Sequence, residues 1–244
     1  MKKIAIFLFL LPFSVYADPV NWSGFSVGVS TGISSSSYNL KPIDNSESVS
    51  ANVADCGYSG ISGCTTWHQK PESAIFGLDA LYDIQKDDYV YGLGLRYLNL
   101  TDATATDLSD QGVLDDYFNT KIEKNYQLTA RFGKVLGDNL IYLKGGVSFA
   151  DLKFDVLDTN NNPGGGNRYG SRWLHGGLIG FGLDHKFYDH FIVGAEFNHI
   201  SYSSENISAT GVGTGTSVGQ ALKEVYSPKR FNSENVIFNL RYLF

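Results

Sequence analysis

Apolar and polar side chains alternate with a period of two over several stretches of this chain. The stretch Val236 to Phe244 shows the pattern most fully. Val236, Phe238, Leu240, Tyr242 and Phe244 share one face, and Ile237, Asn239, Arg241 and Leu243 share the other. A period of two is the signature of a β-strand. The first face is wholly apolar and aromatic, whereas Asn239 and Arg241 on the second would not be tolerated by hydrocarbon. The same alternation runs through Trp22 to Ser34, Ala74 to Ile84, Tyr89 to Leu100, Ile122 to Phe132, Leu140 to Ala150, Trp173 to Phe187 and Phe191 to Ile200. One face of each is mostly built from Val, Leu, Ile, Phe and Tyr. The other is rich in Gly and Ser, with scattered charges.

Eight strands are thus predicted, and their connections alternate in length. Long polar segments follow the odd strands: Ser35 to Pro71, Thr101 to Thr120, Asp151 to Arg172 and Ser201 to Ser233. Tight polar turns follow strands 2, 4 and 6, at Gln85-Lys86-Asp87-Asp88, Gly137-Asp138-Asn139 and Tyr188-Asp189-His190. A soluble β-sandwich also alternates, but it has no reason to make every second connection long. An outer-membrane barrel does, with short periplasmic turns and long extracellular loops. The pattern predicts an all-β, eight-stranded antiparallel up-and-down transmembrane β-barrel, closed by a single chain as a monomer.

The N-terminus adds a targeting signal. Lys2 and Lys3 precede an apolar run from Ile4 to Phe13, and Val15-Tyr16-Ala17 supplies small residues for cleavage. Residues 1–17 read as a secretory signal peptide, leaving a barrel domain over 18–244. The apolar run is too short to span a membrane as a helix. The chain carries a formal charge of −6 before that cleavage, which argues against a nucleic-acid partner. Its 15 Tyr and 16 Phe suit strands and interfacial girdles.

An eight-stranded barrel is filled by its own side chains. The charges expected inside are Asp79, Arg96, Arg131, Lys144, Asp184, Glu196 and Arg241. Buried charges persist only when paired and hydrogen-bonded, so these are read as a plug of ion pairs, with Glu196 and Arg241 expected to pair across neighbouring strands. A narrow ion path is the rival reading, which would make the protein a small channel.

Other candidate chemistry is sparse. Cys56 and Cys64 are the only cysteines and share an extracytoplasmic loop, which predicts a disulfide. The five histidines show no metal-ligand spacing, so no metal site is expected. Haem ligation by His68, or by His175 and His199 at the outer rim, is the one cofactor option. Gly164-Gly165-Gly166 and the run Gly211 to Gly219 lack the Lys-Ser/Thr ending of a phosphate loop and read as surface loops. His199 and Ser201 lie on one strand face, and Glu205 has the same parity. A base, a nucleophile and an orienting acid can be drawn from them. The His-x-Ser motif resembles that of outer-membrane lipid A deacylases, although Tyr202 stands where that family usually has Asn.

Three segments carry a wider resemblance. Trp22-Ser23-Gly24-Phe25-Ser26-Val27-Gly28-Val29 resembles the opening strand of small outer-membrane surface-antigen barrels, the group of opacity-type and haemin-binding proteins. Ala195-Glu196-Phe197-Asn198-His199-Ile200 is similar to that group's Ala-Glu-Tyr-Arg-Tyr stretch, and Asn239 to Phe244 resembles its closing strand, with Tyr242 and Phe244 as the signal read by the outer-membrane assembly machinery. The resemblance implies a bacterial outer-membrane location beside lipopolysaccharide. It also implies surface loops that contact host molecules or haem, a role in envelope integrity, and no catalytic site.

Overall fold

The computed structural model describes residues 20–43, 67–101, 107–108, 116–158, 167–212 and 221–244. The predicted signal peptide and the pair Cys56 and Cys64 lie outside them. Eight long strands form the wall: β1 (Gly24–Ile43), β3 (Glu72–Lys86), β4 (Tyr89–Thr101), β6 (Asp116–Leu136), β7 (Asn139–Asp158), β8 (Arg168–Phe187), β9 (Phe191–Tyr202) and β11 (Ala221–Leu243). Each pairs antiparallel with the next, and β11 pairs with β1, so the sheet closes without an edge. Closure is what lets a sheet stand in hydrocarbon, since every wall N–H and C=O finds a partner. Three short strands, β2 (Trp67–Gln69), β5 (Asp107–Leu108) and β10 (Ile207–Val212), add to the wall at the long-loop end, here called the rim.

Outward residues make an exposed apolar belt. Val29, Leu78, Leu93, Leu128, Leu143, Ile179, Val193 and Leu240 occupy its middle. Aromatic side chains mark its edges, with Tyr97, Tyr126 and Trp173 in ring contact toward the rim, and Phe187, Phe191, Tyr242 and Phe244 toward the turns. This is the outer surface of a membrane-spanning barrel.

Two expectations need correction. The strands do not stop where the belt stops. β1 runs to Ile43, β7 to Asp158, β6 starts at Asp116, β8 at Arg168 and β11 at Ala221, so much of the expected loop sequence is strand. Past the belt the alternation continues with its sign reversed. On β7, Asp151, Lys153 and Asp155 face out, while Leu152 and Phe154 are buried. A polar outer face reads as loop when one looks only for apolar outer faces. The second correction is at Trp22. β1 begins at Gly24, whose φ of +143° suits a residue without a Cβ, and the chain before it turns across the barrel mouth. Trp22 is fully buried there, against Val90, Leu140, Ile192 and Leu243. Its backbone N–H donates to Gln85 Oε1 at 2.7 Å, and Lys186 Nζ donates to the Asn21 carbonyl at 2.6 Å.

The lumen is therefore filled in layers. The Trp22 cluster closes the turn end. Charged side chains fill the middle. An apolar core with Tyr38, Leu98, Leu152, Phe154, Tyr202, Phe231 and Ile237 fills the rim half.

Candidate functional site

The charged layer draws on every wall strand except β1. β3 supplies Asp79 and Asp83, β4 Arg96, β6 Arg131, β7 Lys144, β8 Asp184, β9 Glu196 and β11 Arg241. The pleat turns each of them inward because each lies an even number of residues from its strand's other lumen positions. Arg131 bridges the lumen. Its Nη2 lies 2.6 Å from Asp83 Oδ2 and its Nη1 2.7 Å from Asp184 Oδ2, and its guanidinium sits 4.9 Å over the Tyr142 ring. Arg241 joins the same Asp184 carboxylate and donates from Nε to Asn239 Oδ1 at 3.1 Å. A second centre forms on Glu196. It receives Arg96, Lys144 Nζ at 2.9 Å, the Tyr142 hydroxyl at 3.0 Å and Asn198 Nδ2 at 2.8 Å. Arg96 also holds Asp79.

Within this network four carboxylates face four cations, so the layer is close to neutral. Such a layer is stable in the lumen because its charges meet one another through hydrogen bonds, and it is costly to break. Glycines let the long side chains cross neighbouring strands. A Cβ at Gly194 would collide with the Asp184 carboxylate, and one at Gly92 with that of Asp83. Among the described residues the charged layer holds a cavity of about 20 Å³, lined by Asp79, Arg96, Tyr142, Glu196 and Arg241 among others. That is room for a buried water and not for a path.

Sequence reasoning placed seven of these charges inside and missed the eighth, Asp83. Its signal was present, since it stands four residues after Asp79 on the same face. The expected pair of Glu196 with Arg241 does not form. Glu196 is level with Ile237, while Arg241 is level with Ile192, four residues nearer the turns. Each therefore reaches past its neighbour to a different strand.

The other named residues lie at the rim or the closing seam. His199 and Ser201 face outward on β9, but Glu205 does not join them. Its Oε2 accepts from Arg172 Nε at 2.8 Å, and its Oε1 lies 3.5 Å from His175 Nδ1. His199 Nδ1 instead lies 3.9 Å from Glu234, its partner across β11. Among the described residues no hydrogen bond links Ser201 to His199. In β2 the backbone of His68 pairs with that of Asn39 in β1, and His175 and His199 sit on different strands with different acidic partners. At the seam, Phe244 donates its N–H to the Phe25 carbonyl at 2.9 Å, and its ring contacts Phe25 and Tyr242. Outside the belt, β6 and β7 carry a small charge cluster. Lys153 Nζ lies 2.6 Å from Glu123 Oε2, with Lys121 Nζ 3.7 Å from Oε1. The hydrogen bond from Lys153 is the main cause that holds the Glu123 carboxyl below its usual range.

No family model matches the chain, and no curated protein matches it in sequence. Solved structures do match. The chain is similar to a major outer membrane protein from Thermus thermophilus, with a TM-score of 0.50 and 10% identity over 86% of this chain and 99% of that one. It is also similar to the outer membrane protein OprG from Pseudomonas aeruginosa (TM-score 0.49, 13% identity, 91% and 97% covered). A third similar structure is Ail, the attachment invasion locus protein of Yersinia pestis (TM-score 0.41, 15% identity, 91% and 100% covered). At these identities the likeness speaks for the fold alone, that of an outer-membrane β-barrel.

Proposed function

We propose that the protein is a surface protein of the Gram-negative outer membrane, with a binding or structural role carried by its rim and loops. One observation carries this reading. The lumen is filled at the turn end, in the middle and at the rim, while the wall continues past the apolar belt as a polar-faced stem. A protein built to pass solutes would spend its interior on a path. This one fills the interior and carries its wall past the lipid-facing belt. Host surface molecules and haem are the ligand classes proposed for the loops, and lipopolysaccharide is the proposed neighbour of the wall. A disulfide between Cys56 and Cys64 would limit the freedom of the first loop.

The geometry gives less support to the other readings. A deacylase needs His199 as base in reach of Ser201 and Glu205 to orient that base, whereas His199 lies toward Glu234 and Glu205 is engaged by Arg172. A channel needs a continuous path, and among the described residues the charged layer holds a cavity of only about 20 Å³.

Each reading has its own measurement. Refolded wild type in planar bilayers should give no steady conductance, and large stable openings would restore the channel reading. The variant Cys56→Ser/Cys64→Ser should insert normally yet bind host cells or haemin more weakly than wild type. Lipid A mass spectra should be the same for wild type and Ser201→Ala. Loss of an acyl chain that depends on Ser201 would overturn the binding reading in favour of the enzyme.

A further inference from the structure

The belt is not uniformly convex. Near the turn end of β3, β4, β6 and β7 its outer surface holds a groove of about 550 Å³, walled by Ile84, Leu93, Phe132 and Leu143. Ala130 and Gly145 form part of its floor, and their small size is why the wall dips there. The volume falls in the range of roughly 300–1,000 Å³ typical of ligand clefts, and nearly all of its lining is hydrocarbon. A groove on a lipid-facing wall is filled by whatever apolar chain lies beside it. What gives this one a preference is the group at its end.

One residue pair beyond Ile84 and Phe132 toward the turns, the outward positions are Lys86, Tyr89 and Lys134. The register sets them side by side, Lys86 opposite Tyr89 and Tyr89 opposite Lys134. Two strand spacings of about 4.8 Å separate the lysine Cα atoms by roughly 10 Å, close enough for both ammonium groups to reach one anion above Tyr89. Both lysines are exposed, and among the described residues neither takes part in an ion pair. The Tyr89 ring lies stacked on Phe132 at 5.6 Å, beside a residue of the groove wall. Asp87 and Asp88 form the tip of the turn that joins Lys86 to Tyr89, one step farther from the belt than the lysines, and Asp138 and Asp189 lie in the other two turns. The remaining lysine at this end, Lys186, is turned inward to the Asn21 carbonyl. Lys86 and Lys134 are therefore the outward cations of the turn end, and both stand over the groove.

We propose that this groove and its two lysines form a binding site for one anionic glycerophospholipid of the inner leaflet. An acyl chain lies between Ile84 and Leu143, and the phosphodiester is held by Lys86, Lys134 and the Tyr89 hydroxyl. The anionic class follows from two cations facing one phosphate, where a zwitterionic headgroup would bring its own competing ammonium. The assignment to the inner leaflet rests on the outer-membrane reading above, which puts the tight turns in the periplasm.

Native mass spectrometry of the full chain, released from bilayers of equal phosphatidylglycerol and phosphatidylethanolamine, tests the site. One phosphatidylglycerol should be retained in preference to phosphatidylethanolamine. Lys86→Gln/Lys134→Gln should weaken that retention about 25-fold, at roughly a factor of five for each interfacial lysine. Gly145→Leu should weaken it too by filling the groove with the lysines intact, and Ala130→Val serves if that variant does not fold. Equal retention of the two lipids, or retention unchanged in both the lysine and the groove variants, would overturn the site while leaving the outer-membrane reading intact. The orientation is checked separately with Asp189→Cys. Labelling by a membrane-impermeant maleimide in intact cells would put the turns outside and overturn both readings.

Discussion

In the middle of the lumen, Asp83, Arg131, Asp184 and Arg241 meet in a row of ion pairs. In the rim half, Tyr38, Phe154, Tyr202 and Phe231 meet in an apolar core. The same strands build both regions with the same period of two. What changes is the outside. Where hydrocarbon surrounds the wall, the outward positions are Leu, Val, Ile, Phe and Tyr, and the inward positions take what lipid refuses. Where water surrounds it, Lys153, Asp155 and Glu234 face out, and the inside becomes an ordinary hydrophobic core. The barrel is two structures stacked on one sheet, inverted with respect to each other. Stability in the belt half hangs on charge pairing. Stability in the rim half hangs on packing.

The largest expected effect breaks the belt half. Arg131→Leu leaves Asp83 without its partner and removes one of the two cations on Asp184. Stranding buried charge in this way costs about 3–5 kcal/mol. Urea unfolding of the refolded barrel, read by the gel shift between folded and unfolded forms, should show that loss across the whole protein. A double-mutant cycle locates the pairs. Asp184 with Arg241 should show a coupling above about 0.5 kcal/mol, and Glu196 with Arg241 none. A coupling for the second pair as large as for the first would mean that the register of β9 against β11 is wrong.

The rim half should fail differently. Phe231→Ala removes a ring packed at 4.9 Å from Tyr38 and 5.1 Å from Tyr202. The cost should be roughly 3 kcal/mol, at the low end for this change because a rim can collapse inward. The effect should be local. Protease should cut the stem sooner, while the belt half still inserts and keeps its gel shift. Equal loss of both regions would show that they fold as one unit and that the stacking is only geometric.

How far the sequence could be read follows from the same inversion. The eight wall strands were legible because apolar runs such as Leu78, Ala80 and Tyr82 alternate with Gly77 and Asp79, and because every second connection is long. The stem was not, because Lys121, Lys153 and Asp155 look like loop when the apolar residues between them are counted as too few. The charged layer was mostly legible by parity. Which charge meets which was not, since Glu196 and Arg241 choose partners according to stagger, and Arg241 lies over the gap left by Gly28. Parity carries no information about stagger. Trp22 was legible only as part of an opening-strand resemblance, and its turn into the barrel mouth depends on Gly24 taking a positive φ. The proposed Glu205 role failed for a simpler reason. It lies beyond the end of β9, where strand parity no longer applies.

A smaller effect sits in the turns. Tyr188 and Asp189 both hold positive φ, at 49° and 58°. A residue with a Cβ is disfavoured there, and a bulky one most of all. Tyr188→Asn should raise stability by roughly 0.5–1 kcal/mol, seen as a higher urea midpoint at unchanged slope. The gain should appear in the belt half and leave the protease sensitivity of the stem as it was.

The smallest effect gives the sharpest comparison, because the chemistry is the same as in the lumen and only the surroundings differ. Glu123 is paired with Lys153 and lies near Lys121, on the water-facing wall of the stem. In water the attraction is screened, and holding two long side chains in place costs entropy. Glu123→Gln should therefore change stability by less than about 0.5 kcal/mol, and added salt should erase even that. The dependence on pH has a definite sign. The hydrogen bond from Lys153 holds the folded carboxyl below its ordinary range, so the folded state releases this proton more readily than the unfolded one. Any stabilisation is then present above the ordinary glutamate value of about 4.3 and is lost as pH falls through the lower folded value. Wild type and Glu123→Gln should diverge slightly above that range and converge below it. A difference as large as that for Arg131→Leu would mean that the stem excludes water from its outer wall, and the contrast between the two halves would fall.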